Sequence, residues 1–195
     1  MDFSINDIRS YLGSFRRIEI REPQLTSAGV LVPLFEKLGA LHVLLSRRTE
    51  SVEHHKGQIS FPGGVREPSD RTILDTALRE TEEEIGIHRP EIEVLGVLDD
   101  FQTPSGFCIT PVVAYLRSVP PLRLNPREVS EVFDVPLSFF LDNTNERVEQ
   151  RFRGGIVAKV YFYRFGEYEI WGATAAMIRS FLLDLGRSIE NKKVL

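Results

Sequence analysis

At 195 residues, with 42% hydrophobic and 27% charged positions, the chain is long enough to bury a full core and ordinary enough in make-up to form one soluble globular domain over 1–195. A net charge of −4 weighs against a general nucleic-acid binder, which carries a basic face, and no apolar run reaches the roughly 18–20 residues that span a membrane. The single cysteine, Cys108, excludes an internal disulfide and a multi-cysteine zinc site, and the acidic start of the chain lacks an apolar secretory segment, so a cytoplasmic setting is expected.

Residues 4–16 read as an amphipathic helix capped by Ser4, with Ile5, Ile8, Tyr11 and Leu12 on one side. Two apolar runs, 28–35 and 40–46, are each short enough for a buried strand, and Lys37-Leu38-Gly39 between them suits a hairpin turn. His42 has no His or Cys near it and reads as a packed strand residue. Residues 72–85 hold good helix formers without Gly or Pro; Ser69 or Asp70 can cap the start, and Gly86 stands where a helix stops. Ile73, Ala77, Thr81 and Ile85, with Leu74 and Leu78 beside them, form its core stripe. Further strands are expected at 91–100 and 106–116, where Pro111 suggests an edge or a bulge, and a hairpin at 147–153 and 157–164 around Gly154-Gly155. Residues 168–175 lead into a helix to about residue 185, with Ala176, Ile178, Phe181 and Leu182 facing inward, Trp171 as a core anchor and a frayed tail over 191–195. Strands interspersed with helices in one domain give an α/β class.

The predicted 72–85 helix has a second, acidic face. Glu80, Glu83 and Glu84 stand at i, i+3 and i+4, a spacing at which like charges cost about 0.2–0.5 kcal/mol per pair. A charge run is ordinarily a solvated face. The alternative is a magnesium site, because Mg²⁺ takes oxygen ligands from one or two carboxylates and from substrate phosphates. The approach to the helix favours the alternative: Phe61-Pro62-Gly63-Gly64 is a stiff turn followed by two residues free to take positive φ, and such a loop can bring backbone close to a metal or a phosphate.

Taken together, residues 63–87 resemble the Nudix box. The match runs through Arg79, Glu80, Glu83, Glu84, Gly86 and Ile87, with Thr81 in the first apolar place. Asp70 stands where the box has its first Glu, and the spacer from Asp70 to Arg79 is one residue longer than the pattern. A second resemblance, to the coenzyme A pyrophosphatase group, lies in Leu44-Leu45-Ser46-Arg47-Arg48-Thr49, Gly57, the Phe-Pro-Gly-Gly loop and Trp171-Gly172-Ala173-Thr174-Ala175. Glu53 replaces an Arg of that signature, and His54, His55 and Lys56 follow it.

The resemblance implies a Nudix fold, a mixed β-sheet sandwiched between α-helices, and a divalent metal, Mg²⁺ or Mn²⁺. It implies Glu80, Glu83 and Glu84 as metal ligands, helped by backbone carbonyl oxygen of the Gly63-Gly64 loop, with Arg79 orienting a glutamate. The general base would be Glu80, or Glu128 or Glu131 from a later segment. Arg48, Lys56, Gln58, Gly63 and Gly64 are the candidates for substrate contact. The implied partner is a small nucleotide pyrophosphate: coenzyme A, cut to 3',5'-ADP and 4'-phosphopantetheine, or else ADP-ribose or a dinucleoside polyphosphate. A ligand-sensing Nudix domain without catalysis is a further reading, against which the intact Glu80/Glu83/Glu84 set argues.

Overall fold

The computed structural model describes residues 3–50, 56–153 and 156–193. In chain order the elements are α1 (Ile5–Ser14), β1 (Thr26–Lys37), β2 (Ala40–Arg48), β3 (Ile59–Ser60), β4 (Gly63–Val65), α2 (Ile73–Ile85), β5 (Ile92–Val97), β6 (Phe101–Gln102), β7 (Phe107–Leu116), β8 (Val129–Pro136), α3 (Leu137–Leu141), β9 (Glu146–Arg153), β10 (Ile156–Phe165), β11 (Tyr168–Trp171) and α4 (Gly172–Lys193). The larger sheet runs β3-β2-β1-β7-β5, with β4 also on β1, β6 on β7 and β8 on β2. It is mixed: β1 and β7 are parallel and the other pairs antiparallel. A three-stranded sheet, β11-β10-β9, completes the fold.

Alternation along β1 and β7 sorts side chains to two faces, as a strand's period of two requires. Leu31, Val112 and Ala114 pack with Ala77 and Leu78 of α2. Val32, Leu34 and Val113 join a larger core on the other side with Ile8 and Leu12 of α1 and Ile178, Phe181 and Leu182 of α4. The sheet is therefore sandwiched between helices. The 28–35/40–46 hairpin forms as expected, closed by Leu38 and Gly39, both at positive φ.

Several details depart from the sequence reading. The N-cap of α2 is Thr72, not Ser69 or Asp70: the Thr72 side chain accepts from the Asp75 N–H at 3.2 Å, and the Thr72 N–H donates to Asp75 Oδ2 at 3.0 Å. Pro111 lies inside the sheet, not on its edge. Its carbonyl accepts from the Leu98 N–H at 2.9 Å, so its missing N–H falls on the same side, in the gap where β5 ends and β6 has not begun. Trp171 is only half-buried and stacks on Phe162 at 5.8 Å, and Ala176 is partly exposed, while Ala175, Met177 and Leu185 join the buried stripe. Helix α4 runs on to Lys193 where a frayed tail was expected. Gly154 and Gly155, the expected turn, lie outside the described residues.

Gly86 ends α2 in the left-handed region, φ 77°, and donates its N–H to Glu82 O at 3.0 Å. A Cβ there would lie 2.8 Å from Cβ and 3.0 Å from N of Arg123, in a segment that docks on this helix end. Gly86→Ala should therefore cost about 1–2 kcal/mol, read as a lower urea midpoint at unchanged m-value.

Candidate active site

The acidic face of α2 is not a solvated stripe. The helix seats Ala77 and Ile85 in the core, which turns Glu84 inward, with only 2% of its surface exposed. Carboxylate oxygens of Glu80, Glu84 and Glu128 lie within 4.8 Å of one another. Burial pushes the Glu84 carboxyl up to about 8; the Gly63 N–H, 3.1 Å from Oε2, and the Arg48 guanidinium, 3.5 Å from Oε1, oppose that rise, and Glu80 and Glu128 add to it. Glu80 is raised for the same first reason, burial, against the pull of Arg79.

Glu128 reaches the helix through a loop that is fastened to it. The Arg123 N–H donates to Ile85 O at 3.0 Å and the Asn125 N–H to Glu84 O at 2.9 Å, satisfying carbonyls at the helix end. The Asn125 side chain then turns the Glu128 carboxylate, with Nδ2 donating to Oε1 at 2.9 Å. From the other side, the Thr49 hydroxyl donates to Arg127 O at 2.8 Å and the Thr49 N–H to Glu128 O at 2.9 Å. The sequence reading gave Asn125 no role and Thr49 only a place in the motif at 44–49. A signal for Asn125 was present, since Asn-Pro initiates turns and the Asn125 side chain accepts from the Arg127 N–H at 3.1 Å.

The two glycines fit this site by having no side chain. Gly63 sits at φ 154°, where a Cβ would lie 2.4 Å from Gly29 O, and a Cβ on Gly64 would lie 2.4 Å from Glu80 Oε1. Both places would be filled by any other residue.

Arg79 is the hub beneath the cluster. Its Nε and Nη2 grip Asp70 at 3.1 and 3.0 Å, Nη1 donates to Glu80 and Glu83 at 3.0 Å each, and Nη2 also reaches Val65 O at 3.1 Å. Asp70 is buried, and it also accepts from the Thr76 hydroxyl and the Glu67 N–H, each at 2.9 Å. These bonds, Arg79 first, hold its carboxyl well below the usual range.

The other residues singled out from sequence divide. Glu83 is not in the buried group: its side chain is 53% exposed and its carboxylate rests on Arg79. Glu131 also stands apart and accepts from the Tyr168 hydroxyl, whose ring stacks on Phe133 at 3.8 Å. It lines a cleft of about 520 Å³ with Arg47, Arg48, Thr49, Glu50 and Ser130. Arg48 bridges cleft and cluster. Gln58 is half-buried, its carbonyl accepting from the Arg48 N–H at 3.0 Å, and Lys56 is exposed. Glu53, His54 and His55 lie outside the described residues. His42 is packed as expected, with Nδ1 2.7 Å from Asp134 Oδ2. Carboxylate oxygens alone, converging beside a glycine loop, are the donor set a hard divalent cation takes.

A mixed sheet between helices, with three glutamates gathered where a glycine loop meets a helix, is an arrangement suited to a divalent cation and a phosphate-bearing ligand. The NUDIX domain profile matches residues 25–153, and the chain belongs to the NUDIX family. A protein of Photorhabdus laumondii named "Uncharacterized Nudix hydrolase NudL" is 40% identical over 151 residues, 77% of this chain and 80% of its own. An Escherichia coli protein of the same name is 33% identical over 177 residues, 87% and 92% of the two chains. The crystal structure of a NUDIX hydrolase from Alicyclobacillus acidocaldarius superimposes with a TM-score of 0.54 at 17% identity, covering 82% of this chain and 91% of that one, a likeness of fold. Among the described residues no helix is long and apolar enough to cross a membrane.

Asp70→Asn removes the charge that Arg79 grips and should cost roughly 2–3 kcal/mol at neutral pH, the scale of charged hydrogen bonds lost from a buried pair. The sign follows from the lowered carboxyl: its contribution is whole above the ordinary value of 3.8 and fades as pH falls below it. Urea midpoints of wild type and variant, measured between pH 7 and pH 2.5, should accordingly converge at the acid end.

Proposed function

We propose that the protein hydrolyses the diphosphate of coenzyme A or its derivatives, releasing 3',5'-ADP and 4'-phosphopantetheine, with Mg²⁺ or Mn²⁺ as cofactor and residues 1–195 acting as one domain. The observation that carries the hydrolytic reading is the convergence of Glu80, Glu84 and Glu128 beside the Gly63-Gly64 loop. The coenzyme A reading is supported by the motifs at 44–64 and 171–175 and by a cleft whose wall carries Arg47 and Arg48 next to those carboxylates.

A divalent cation supplies neutralisation of the diphosphate and acidity to a water. Glu80, Glu84 and Glu128 offer it oxygen ligands, with Glu83 as a fourth carboxylate on the same helix. Arg79 fixes the Glu80 rotamer through a charge-assisted bond. Of the candidate bases we favour Glu128, because Asn125 orients its carboxylate toward the cluster while Tyr168 holds Glu131 on the cleft wall. Gly63 and Gly64 leave room for phosphate oxygens against the backbone. Arg48, Gln58 and Lys56 border the path by which the substrate enters.

Turnover of coenzyme A, dephospho-coenzyme A, ADP-ribose and diadenosine tetraphosphate, each with Mg²⁺ and with Mn²⁺, tests the reading. Coenzyme A should be cut fastest, and only with metal. Preference for another diphosphate would reassign the substrate; tight binding without turnover of any would favour a sensor. Glu80→Gln, Glu83→Gln and Glu84→Gln should each lower kcat by at least ~10²-fold, the scale of a lost transition-state charge contact, with circular dichroism unchanged.

Coenzyme A exceeds its dephospho form by one phosphate, roughly two negative charges. Lys56→Ala or Arg48→Ala should shift the ratio of kcat/KM values for the two ligands by roughly 10- to 100-fold toward the dephospho form, the worth of a lost charged hydrogen bond. Lys56 is the cleaner arm, because Arg48 also touches Glu84. An unmoved ratio in both variants would show that the extra phosphate is read elsewhere.

A further inference from the structure

Arg47 and Glu131 stand opposite each other on the antiparallel strands β2 and β8, next to the place where the register shifts by one residue. Opposite charges directly across two strands ordinarily pair. These two do not. The Glu131 carboxylate accepts from the Tyr168 hydroxyl instead, and among the described residues the Arg47 side chain makes neither an ion pair nor a hydrogen bond. Tyr168 can hold the carboxylate because it is itself held. β11 brings it from the second sheet, and its ring lies flat on Phe133, two residues along β8 from Glu131, at 3.8 Å and 7°. The bond to Glu131 pushes its hydroxyl up to about 12, against the nearby charge of Arg47, so it stays a donor at neutral pH.

The strands are pinned at the same point. Arg47 pairs with Glu131 and Arg48 with Val129, so Ser130 is the extra residue of a bulge, and its hydroxyl donates to Arg47 O at 3.1 Å. Bulges beside a site re-aim the side chains around it. Here two neighbouring arginines divide. Arg48 reaches Glu84, while Arg47 is left half-buried on the wall of the 520 Å³ cleft. The other carboxylate of that wall, Glu50, is exposed and makes no ion pair with Arg47. A guanidinium has five N–H donors in a planar fork and no acceptor, a geometry that suits phosphate oxygens. We propose, resting on the reading of this site as one for a nucleotide diphosphate, that Arg47 binds a phosphate of the substrate and that Tyr168 is the positioning residue that keeps it available by holding Glu131 aside. Without the Tyr168 hydroxyl, Glu131 turns across the strands and caps Arg47 with a charge that the substrate must displace.

Initial rates of the full chain with Mg²⁺, on coenzyme A and on dephospho-coenzyme A, test this. Arg47→Ala should raise KM at least about tenfold while kcat falls less than about threefold, the pattern of a contact made alike in ground and transition states. Tyr168→Phe keeps the stacked ring and loses only the hydroxyl; it should raise KM by about three- to tenfold. Adding Glu131→Gln to Tyr168→Phe removes the competing charge and should return KM to within about twofold of wild type. A merely structural loss at Tyr168 is not repaired by that second substitution. A rise for coenzyme A alone assigns Arg47 to the ribose phosphate, and an equal rise for both ligands assigns it to the diphosphate. If wild type prefers ADP-ribose or diadenosine tetraphosphate, the same variants are measured on that ligand. If it cuts none of the four, dissociation constants from calorimetry with Mg²⁺ take the place of KM. In either case the coenzyme A reading fails while Arg47 is judged on its own. An unmoved constant in Arg47→Ala or in Tyr168→Phe, a double variant that does not recover, or a wild type that binds none of these ligands would each overturn the assignment.

Discussion

Three carboxylates held within 4.8 Å of one another repel, and the rest of the structure is arranged around keeping them there. Were all three ionised, each such pair would cost roughly 3 kcal/mol at an effective dielectric of about 20, and the rise of the Glu84 carboxyl to about 8 is part of the answer. No local preference of a helix or a loop offsets that. The compensation is distributed: the Gly63 N–H and Arg48 on Glu84, Arg79 on Glu80, and the Asn125 amide on Glu128. Behind these stand the packing of α2 on β1 and β7 and the docking of residues 123–128 on the helix end. A cation entering the cluster relieves a repulsion that the apolar core has already met.

Asp70 shows how a departure from a family pattern is absorbed. The spacer from Asp70 to Arg79 crosses the start of α2 at Thr72, and the helix beyond it is regular, with Glu80 and Glu84 brought to the buried cluster. Asp70 needs only to reach Arg79 from beneath, and its shorter side chain does so with both oxygens. Its work is structural: it fixes the arginine that in turn fixes the glutamates.

The sheet, the box helix and its stop at Gly86 were legible because they rest on periodicity and on local chemistry, which a single sequence carries. The acidic face was legible as chemistry through its resemblance to a known motif. Which of Glu128 and Glu131 lies with the buried glutamates was not, since it depends on Asn125 bonding to a helix end about forty residues earlier, and no spacing encodes that contact. The cap at Thr72 was missed because Asp70, the stronger-looking candidate, is drawn away by Arg79. Pro111 was read as the sign of an edge or a bulge; it is not at an edge, and the register shifts by one residue between the β5 and β6 pairings, on the side where its N–H is missing. Trp171 was read as a core anchor, yet it is half-buried and stacks on Phe162 of the neighbouring strand in the second sheet, a layer which that reading did not separate from the first.

The parallel pairing of β1 with β7 has a consequence for how the chain acquires its shape. Val30 lies opposite Pro111 and Leu34 opposite Tyr115, partners about eighty residues apart in sequence. Such contacts repay their loop-closure entropy only late, so folding is governed by topology more than by helix propensity. During synthesis the box helix emerges with β1 already available but before β7, the strand that completes the floor under it. The acidic face is then a half-seated helix with unbalanced charge, and Glu128, which closes the cluster, arrives later still. The nascent chain thus carries the glutamates of α2 well before Glu128 can join them, and the acidic cluster is complete only when the fold is.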